Sequence, residues 1–283
     1  MRLAINGAEL CVDATGDPAD PPVLLIMGSG ASLDRWEDPF VARLAAAGRY
    51  VVRYDHRDTG GSTTCPPGAP DYAEDDLVLD ALGVLDALDI DTAHVVGMSM
   101  GGAIAQRIAI EHPDRVRTLA LLSTTAIDTA GPDRPELPPP ADRLKALFTG
   151  DGPAEPDWTD REAVIAYLLE VDRAYAAPHD FDEAHMRELL IRVLDRTLDP
   201  RAGDNHHLAP GGADLPAGSL ARIAVGTLVV HGAEDPLFPL PHGEQLAKEI
   251  PGARLIILDG VGHELPPRAW DRVAGALVEL TTG

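Results

Sequence analysis

The chain has 283 residues, of which 46 are Asp or Glu and 23 are Lys or Arg, leaving a formal net charge of −23. A surface this acidic on average repels phosphate backbones and anionic bilayers, so neither a nucleic acid nor a membrane is an expected partner. No apolar run approaches the roughly 18 residues of a membrane span, and Met1-Arg2-Leu3-Ala4-Ile5-Asn6-Gly7 breaks too early for a secretory leader, so a cytoplasmic protein is expected.

Cys11 falls in an early predicted strand and Cys65 in a Pro-Pro-Gly loop; the two form no metal-like cluster and are read as reduced thiols. Val23-Leu24-Leu25-Ile26-Met27 is a continuous apolar run, the mark of a strand buried on both faces, and Tyr50-Val51-Val52-Arg53-Tyr54 is the next. Between them, Asp34 to Ala47 carries Phe40, Val41, Leu44 and Ala45 on one side and stops at Gly48, which predicts a helix. A second helix is predicted from about Glu74 to Leu88, with Leu77, Ala81, Val84, Leu85 and Leu88 at helical spacing.

The apolar run Ala93-His94-Val95-Val96 leads into Gly97-Met98-Ser99-Met100-Gly101 and then into the helix-like stretch Gly102 to Ile110. A G-x-S-x-G sequence between strand and helix is a nucleophile elbow: the turn exposes the serine hydroxyl, and the flanking glycines remove Cβ atoms that would collide. Ser99 would also sit at a helix N-terminus, where N–H groups favour developing negative charge. A further strand covers Val116 to Leu122.

From about residue 125 the character changes. Pro135, Pro138-Pro139-Pro140, Gly152-Pro153 and Pro156 interrupt short amphipathic pieces, of which Arg161 to Tyr175 and Asp182 to Leu194 are the clearest helices. Strands return at Thr227 to His231 and Arg254 to Leu258, and an amphipathic helix closes the chain from about Arg268 to Leu280. The alternation predicts an α/β protein, with a mostly parallel central sheet and helices on both faces. Residues 1–124 and 218–283 are read as its core domain, and residues 125–217 as a helical cap inserted over the sheet edge.

A serine hydroxyl needs a base to take its proton and a carboxylate to orient that base. In a sheet of this kind the acid and then the histidine follow the serine, each in a loop beyond a strand. Asp235 follows the strand ending at His231, and His263 follows the strand ending at Leu258 behind two glycines. Glu234 and Asp128 are the alternative acids. The other nine histidines lack this placement; His206-His207 is the one pair that suggests a metal, but no ligand pattern surrounds it, so it is read as a solvated loop. An oxyanion hole needs two preset N–H donors. The backbone N–H of Met100 is one, and that of Ser29 in the loop Gly28-Ser29-Gly30 is the other. No metal or cofactor is expected.

The segments Leu25 to Gly28, Arg53 to Gly60 with Ser62-Thr63, Ala93 to Gly101, Asp235-Pro236 with Pro241-His242-Gly243, and Gly262 to Pro266 resemble the α/β-hydrolase family, most closely the aclacinomycin methylesterase group. Gly61 stands where that resemblance leads one to expect arginine. The resemblance implies an α/β-hydrolase fold, a structural role for Asp55 and Arg57 in tying loops together, and hydrolysis of a methyl ester of a polyketide-type small molecule. It does not extend to residues 125–217, so the substrate stays open, and Trp36, Trp158, Tyr167 and Tyr175 are the aromatic residues that could line its pocket. The mechanism expected is ester hydrolysis through Ser99, His263 and Asp235. A lactonase, C–C hydrolase, perhydrolase or acyltransferase on the same trio, or a ligand-binding protein without turnover, are the alternatives. Nothing in the sequence fixes the oligomeric state.

Overall fold

A computed structural model describes residues 1–131, 134–150, 152–179, 181–212 and 215–282. Two short strands, β1 (Arg2–Ile5) and β2 (Ala8–Thr15), form an N-terminal antiparallel hairpin turning at Asn6-Gly7. Six more follow: β3 (Pro22–Ile26), β4 (Tyr50–Tyr54), β5 (Ala93–Met98), β6 (Val116–Leu122), β7 (Gly226–Gly232) and β8 (Arg254–Leu258). They assemble as one sheet in the order β1-β2-β4-β3-β5-β6-β7-β8, with β2 antiparallel to β4 and every later pairing parallel.

Both faces of the sheet are covered, which is why its strands read as unbroken apolar runs. Leu24, Ile26, Val95, Leu119, Leu121 and Val229 point to one side, against α2 (Glu74–Ala87), α3 (Met100–Glu111) and Leu246 and Ile250 at α7 (Pro241–Glu249). Val23, Leu25, Val96, Ala120, Leu228 and Val230 point to the other, against α1 (Asp38–Ala46) and α8 (Trp270–Leu280). The register pairs Ile26 with Gly97, Met98 with Leu122, Leu122 with Val230 and Gly232 with Leu258. The C-terminal ends of β3, β5, β6, β7 and β8 therefore share one edge, and the loops that follow them meet there.

Residues 125–217 contain α4 (Asp142–Thr149), α5 (Arg161–Tyr175), α6 (Glu183–Arg196) and a 3₁₀ turn at Ala202–His207. The two ends of this stretch come together where Asp128 bridges Leu215, with the Thr129 N–H donating to the Leu215 carbonyl at 2.8 Å. Between α5 and α6 lies a small apolar cluster of Ile165, Leu169 and Leu190. Charge holds these helices to the loop after β3: Arg35 forks onto Asp172 at 3.0 and 2.9 Å, and Glu37 takes His185 and Arg192.

The helix expected from Asp34 to Ala47 is broken. Leu33–Arg35 is a 3₁₀ turn and α1 starts only at Asp38, because Pro39 has no N–H to give and fits only a first helical turn. The last helix similarly starts at Trp270 after a turn at Pro267–Ala269. Helices α4 and α7 have no counterpart among the predicted elements; each is short, and α7 buries only Gly243, Gln245 and Leu246. Among the described residues, no helix is long and apolar enough to cross a membrane.

Candidate active site

At the end of β5 the chain turns into α3 through Ser99, whose φ of 53° and ψ of −120° lie outside the regions that side chains normally occupy. Such a conformation costs on the order of 1–3 kcal/mol and persists only when its surroundings fix it. Here the Ser99 N–H donates to the Leu122 carbonyl at 3.0 Å, and the Ser99 carbonyl accepts from Gly102 and Ala103 at 2.8 and 3.1 Å. A Cβ at Gly97 would overlap the Gly101 carbonyl, and one at Gly101 would overlap the carbonyls of Ile26 and Met27. The glycines let three backbone segments close to contact distance, and the serine hydroxyl is left projecting from the turn.

Loops after β7 and β8 bring the acid and the base to that hydroxyl. His263 Nε2 lies 3.0 Å from Ser99 Oγ, and His263 Nδ1 lies 2.8 Å from Asp235 Oδ2. Asp235 is buried, and its other oxygen accepts the N–H groups of Leu237 and Phe238, each at 2.9 Å. Burial raises its carboxyl pKa, but the facing His263 and His231 rings and the hydrogen bonds it accepts outweigh burial and hold it below the ordinary carboxylate value. An ionised Asp235 fixes the proton of a neutral His263 on Nδ1, which leaves the Nε2 lone pair for the serine proton. His231 Nε2 approaches the same carboxylate at 3.6 Å but donates to the Phe238 carbonyl at 2.7 Å, and burial lowers its pKa.

The histidine loop is also tied to the end of α5. The His263 N–H donates to the Tyr175 carbonyl at 2.9 Å, and Glu264 Oε1 accepts the N–H groups of Gly262 at 3.2 Å and Ala177 at 3.5 Å. Tyr175 and Phe238 place their rings 5.8 and 5.6 Å from the His263 ring.

On the opposite side of the serine, the loop after β3 passes so close that a Cβ on Gly28 would lie 3.2 Å from Ser99 Cβ. Ser29 and Met100 both line the cavity that opens at Ser99, and neither backbone N–H has an intramolecular acceptor among the described residues. Two free N–H groups flanking a nucleophile are what a developing oxyanion requires. The cavity holds about 740 Å³ and is walled mainly by apolar side chains from the loop after β3, α3, α5 and α6. That volume falls in the range of small-molecule sites.

The alternative acids stand elsewhere. Glu234 is exposed, and Asp128 is buried against Arg134 rather than facing His263. Among the four aromatic candidates only Tyr175 lines the cavity. Trp36 is 1% exposed and stacks on Phe40 in the core, while Trp158 and Tyr167 pair on the far side of α5. Phe148, Phe181 and Phe238 line it instead, each too isolated in sequence to be recognised. The reading of His206-His207 as a solvated loop is corrected for His206, which is buried and hydrogen-bonded through both ring nitrogens. Asp55 and Arg57 do tie loops together: Asp55 accepts from Leu33, Gly61 and Arg196, and Arg57 forks onto buried Asp80 at 2.6 and 2.8 Å. Among the described residues no group of three or more His, Cys, Asp or Glu side chains could hold a metal ion.

The alpha/beta hydrolase fold model matches residues 21–151. Over 99% of this chain and 97% of its own length, the rhodomycin D methylesterase DnrP of Streptomyces peucetius is 37% identical. The rhodomycin D methylesterase DauP of Streptomyces sp. (strain C5) is 38% identical over 95% and 93%. Among solved structures, the enol-lactonase of Burkholderia xenovorans superposes over all of both chains with a TM-score of 0.75 at 25% identity. A meta-cleavage product hydrolase of Pseudomonas fluorescens does so with a TM-score of 0.77 at 21% identity, over 100% of this chain and 97% of its own, a likeness of fold alone.

Proposed function

The chain belongs to the α/β-hydrolase family and is a carboxylic ester hydrolase, and from that premise we propose that Ser99, His263 and Asp235 hydrolyse a methyl ester carried by a polycyclic, polyketide-type small molecule. The observation that carries this reading is the unbroken line of hydrogen-bonding distances, 3.0 Å from Ser99 Oγ to His263 Nε2 and 2.8 Å from His263 Nδ1 to Asp235. Ser99 Oγ attacks the ester carbonyl as His263 takes its proton, and the N–H groups of Ser29 and Met100 hold the oxyanion. His263 then gives the proton to the departing methoxide, which leaves as methanol. Water, deprotonated by the same histidine, attacks the acyl-enzyme; the free acid is released and Ser99 regains its proton. The methyl-ester substrate class is supported by the two rhodomycin D methylesterases and by a cavity of about 740 Å³. In this reading residues 125–217 are the cap that forms much of the cavity wall. A reducing compartment, the cytoplasm, belongs to the same reading and is supported by the free thiols of Cys11 and Cys65.

A fluorophosphonate is expected to label Ser99 stoichiometrically and to abolish turnover, while Ser99→Ala should lower kcat by about 10⁴-fold or more without unfolding the protein. Active protein with an unmodified Ser99 would sink the assignment. A panel of polycyclic methyl esters and lactones tests the substrate class, with acid production at constant pH as the readout for both and methanol release for the esters; turnover of lactones alone would replace it with ring opening on the same trio.

A further inference from the structure

Three histidines, none of them part of the catalytic trio, hold the loop that carries Ser29. His56 donates from Nε2 to the Met27 carbonyl at 2.9 Å. His206 accepts the Gly30 N–H on Nδ1 at 2.9 Å and donates from Nε2 to the Arg57 carbonyl at 2.8 Å. His207 Nε2 lies 3.3 Å from Ser29 Oγ. His56 and His206 are buried, and their rings meet edge to face at 5.7 Å. The turn bearing His206 also presses on the loop directly, since a Cβ on Gly203 would lie 2.9 Å from Gly30 Cα.

The consequence follows from peptide planarity. The Met27 carbonyl belongs to the Met27–Gly28 plane, and the Gly30 N–H to the Ser29–Gly30 plane; between them lies the Gly28–Ser29 plane, which carries the Ser29 N–H. Glycines at 28 and 30 leave this stretch little intrinsic stiffness, so its orientation has to be imposed from outside. His56 fixes the plane before and His206 the plane after.

We propose that His206 is a positioning residue for the oxyanion hole: anchored on the Arg57 carbonyl, it holds the Gly30 N–H and so aims the Ser29 N–H at the oxygen that becomes negative. This rests on the reading of Ser29 as an oxyanion donor. Burial supports it, because it pushes the His206 pKa down to about 3, which keeps the ring neutral and the accepting lone pair on Nδ1 in place through the pH range of ester hydrolysis. Donor alignment matters in the transition state far more than in substrate binding, so its loss should appear in kcat and not in KM.

Two substitutions separate the two hydrogen bonds. His206→Asn keeps an acceptor where Nδ1 stood, facing Gly30; His206→Gln keeps a donor where Nε2 stood, facing Arg57. The expected order of kcat is wild type, then His206→Asn, then His206→Gln, the last about 10- to 100-fold below wild type with KM within about twofold. Affinity for an aryl trifluoromethyl ketone, whose tetrahedral adduct places an alkoxide in the hole, should fall by the same factor as kcat. Gly203→Ala, which displaces Gly30 without touching His206, should give the same split with a smaller amplitude, and keeps the test intact if His206→Gln does not fold. Equal losses in the Asn and Gln variants, or a His206→Gln enzyme with kcat within about twofold of wild type, overturns the inference. Fluorophosphonate labelling of Ser99 in the wild type tells that outcome apart from failure of the ester-hydrolase reading itself.

Discussion

The loops around Ser99 and the helices α5 and α6 are neighbours across one cavity, yet they are held by different forces. Around Ser99, position is set by backbone contact and buried neutral hydrogen bonds: glycines that admit no Cβ, an N–H on the Leu122 carbonyl, histidines on Met27 and Gly30. Helices α5 and α6 share a small apolar cluster; they reach the loop after β3 through Arg35–Asp172, His185 and Arg192 on Glu37, and Arg196 on Asp34, and the loop after β4 through Arg196 on Asp55. Groups closely packed at interior density cannot shift without cost, whereas ion pairs at partly exposed sites are screened and individually weak. The side that carries Ser99 is therefore the stiff one, and the α5–α6 side of the cavity is the yielding one.

Paired cavities are the strongest way to break this comparison. Ile108→Ala, fully buried beneath the sheet in α3, should cost about 2–5 kcal/mol in the main unfolding transition. Leu190→Ala, equally buried but in the α5–α6 cluster, should shift that transition by less than half as much and instead speed amide exchange in α5 and α6. Equal shifts in chemical denaturation would mean that the two regions unfold as one.

Arg196→Met sharpens the comparison at the seam. It removes the cation shared by Asp34 and Asp55 and leaves Asp55, whose pKa burial already raises, without a charged partner. With the arginine about one-third exposed, a loss of about 2 kcal/mol is expected, accompanied by a rise in KM as α6 loosens. A loss confined to kcat would place the arginine's influence on the chemistry and not on the enclosure.

Buried histidines add a pH dependence of at most about 1.4 kcal/mol per pH unit for each group. Burial lowers His56 and His94 to about 4 and His206 to about 3, against about 6.5 in the unfolded chain. Below pH 6.5 the unfolded chain binds protons that the folded one refuses, so stability falls as pH drops from 6.5 towards 4. Asp55, Asp80 and Glu264, raised by burial, act in the opposite sense over the carboxylate range, so the histidine slope reads most cleanly between pH 6.5 and 5. His94→Gln should flatten the slope in urea titrations; an unchanged slope would show that His94 does not contribute.

What the sequence discloses depends on the distance over which the information travels. The strands Tyr50–Tyr54, Val116–Leu122 and Arg254–Leu258 and the helix Arg161–Tyr175 have the bounds their apolar patterns predict, because those patterns are local consequences of burial. Ser99, Asp235 and His263 could be named because a parallel sheet delivers successive loops to one edge, so topology converts chain order into proximity. The burial of His206 had no such signal. It depends on the turn Ala202–His207 folding back onto Arg57 and Gly30, contacts spanning about 150 residues or more. The same holds for the cavity wall, where Trp36 turned inward to the core and Phe181, unremarkable in sequence, faces the substrate side.

The bridge between Asp128 and Leu215 bears on how such an enzyme diversifies. Because the chain leaves the sheet and returns at one point, everything in between is a closed excursion whose length barely enters the thermodynamics: doubling a loop adds only about 0.6 kcal/mol of closure entropy. The part of the cavity wall that this stretch supplies can then be lengthened, shortened or exchanged while β6 and β7 stay paired. The excursion is tied back at further points, where Tyr175 holds the His263 N–H and His206 holds the Gly30 N–H, so its length is free to change between those anchors and not at them.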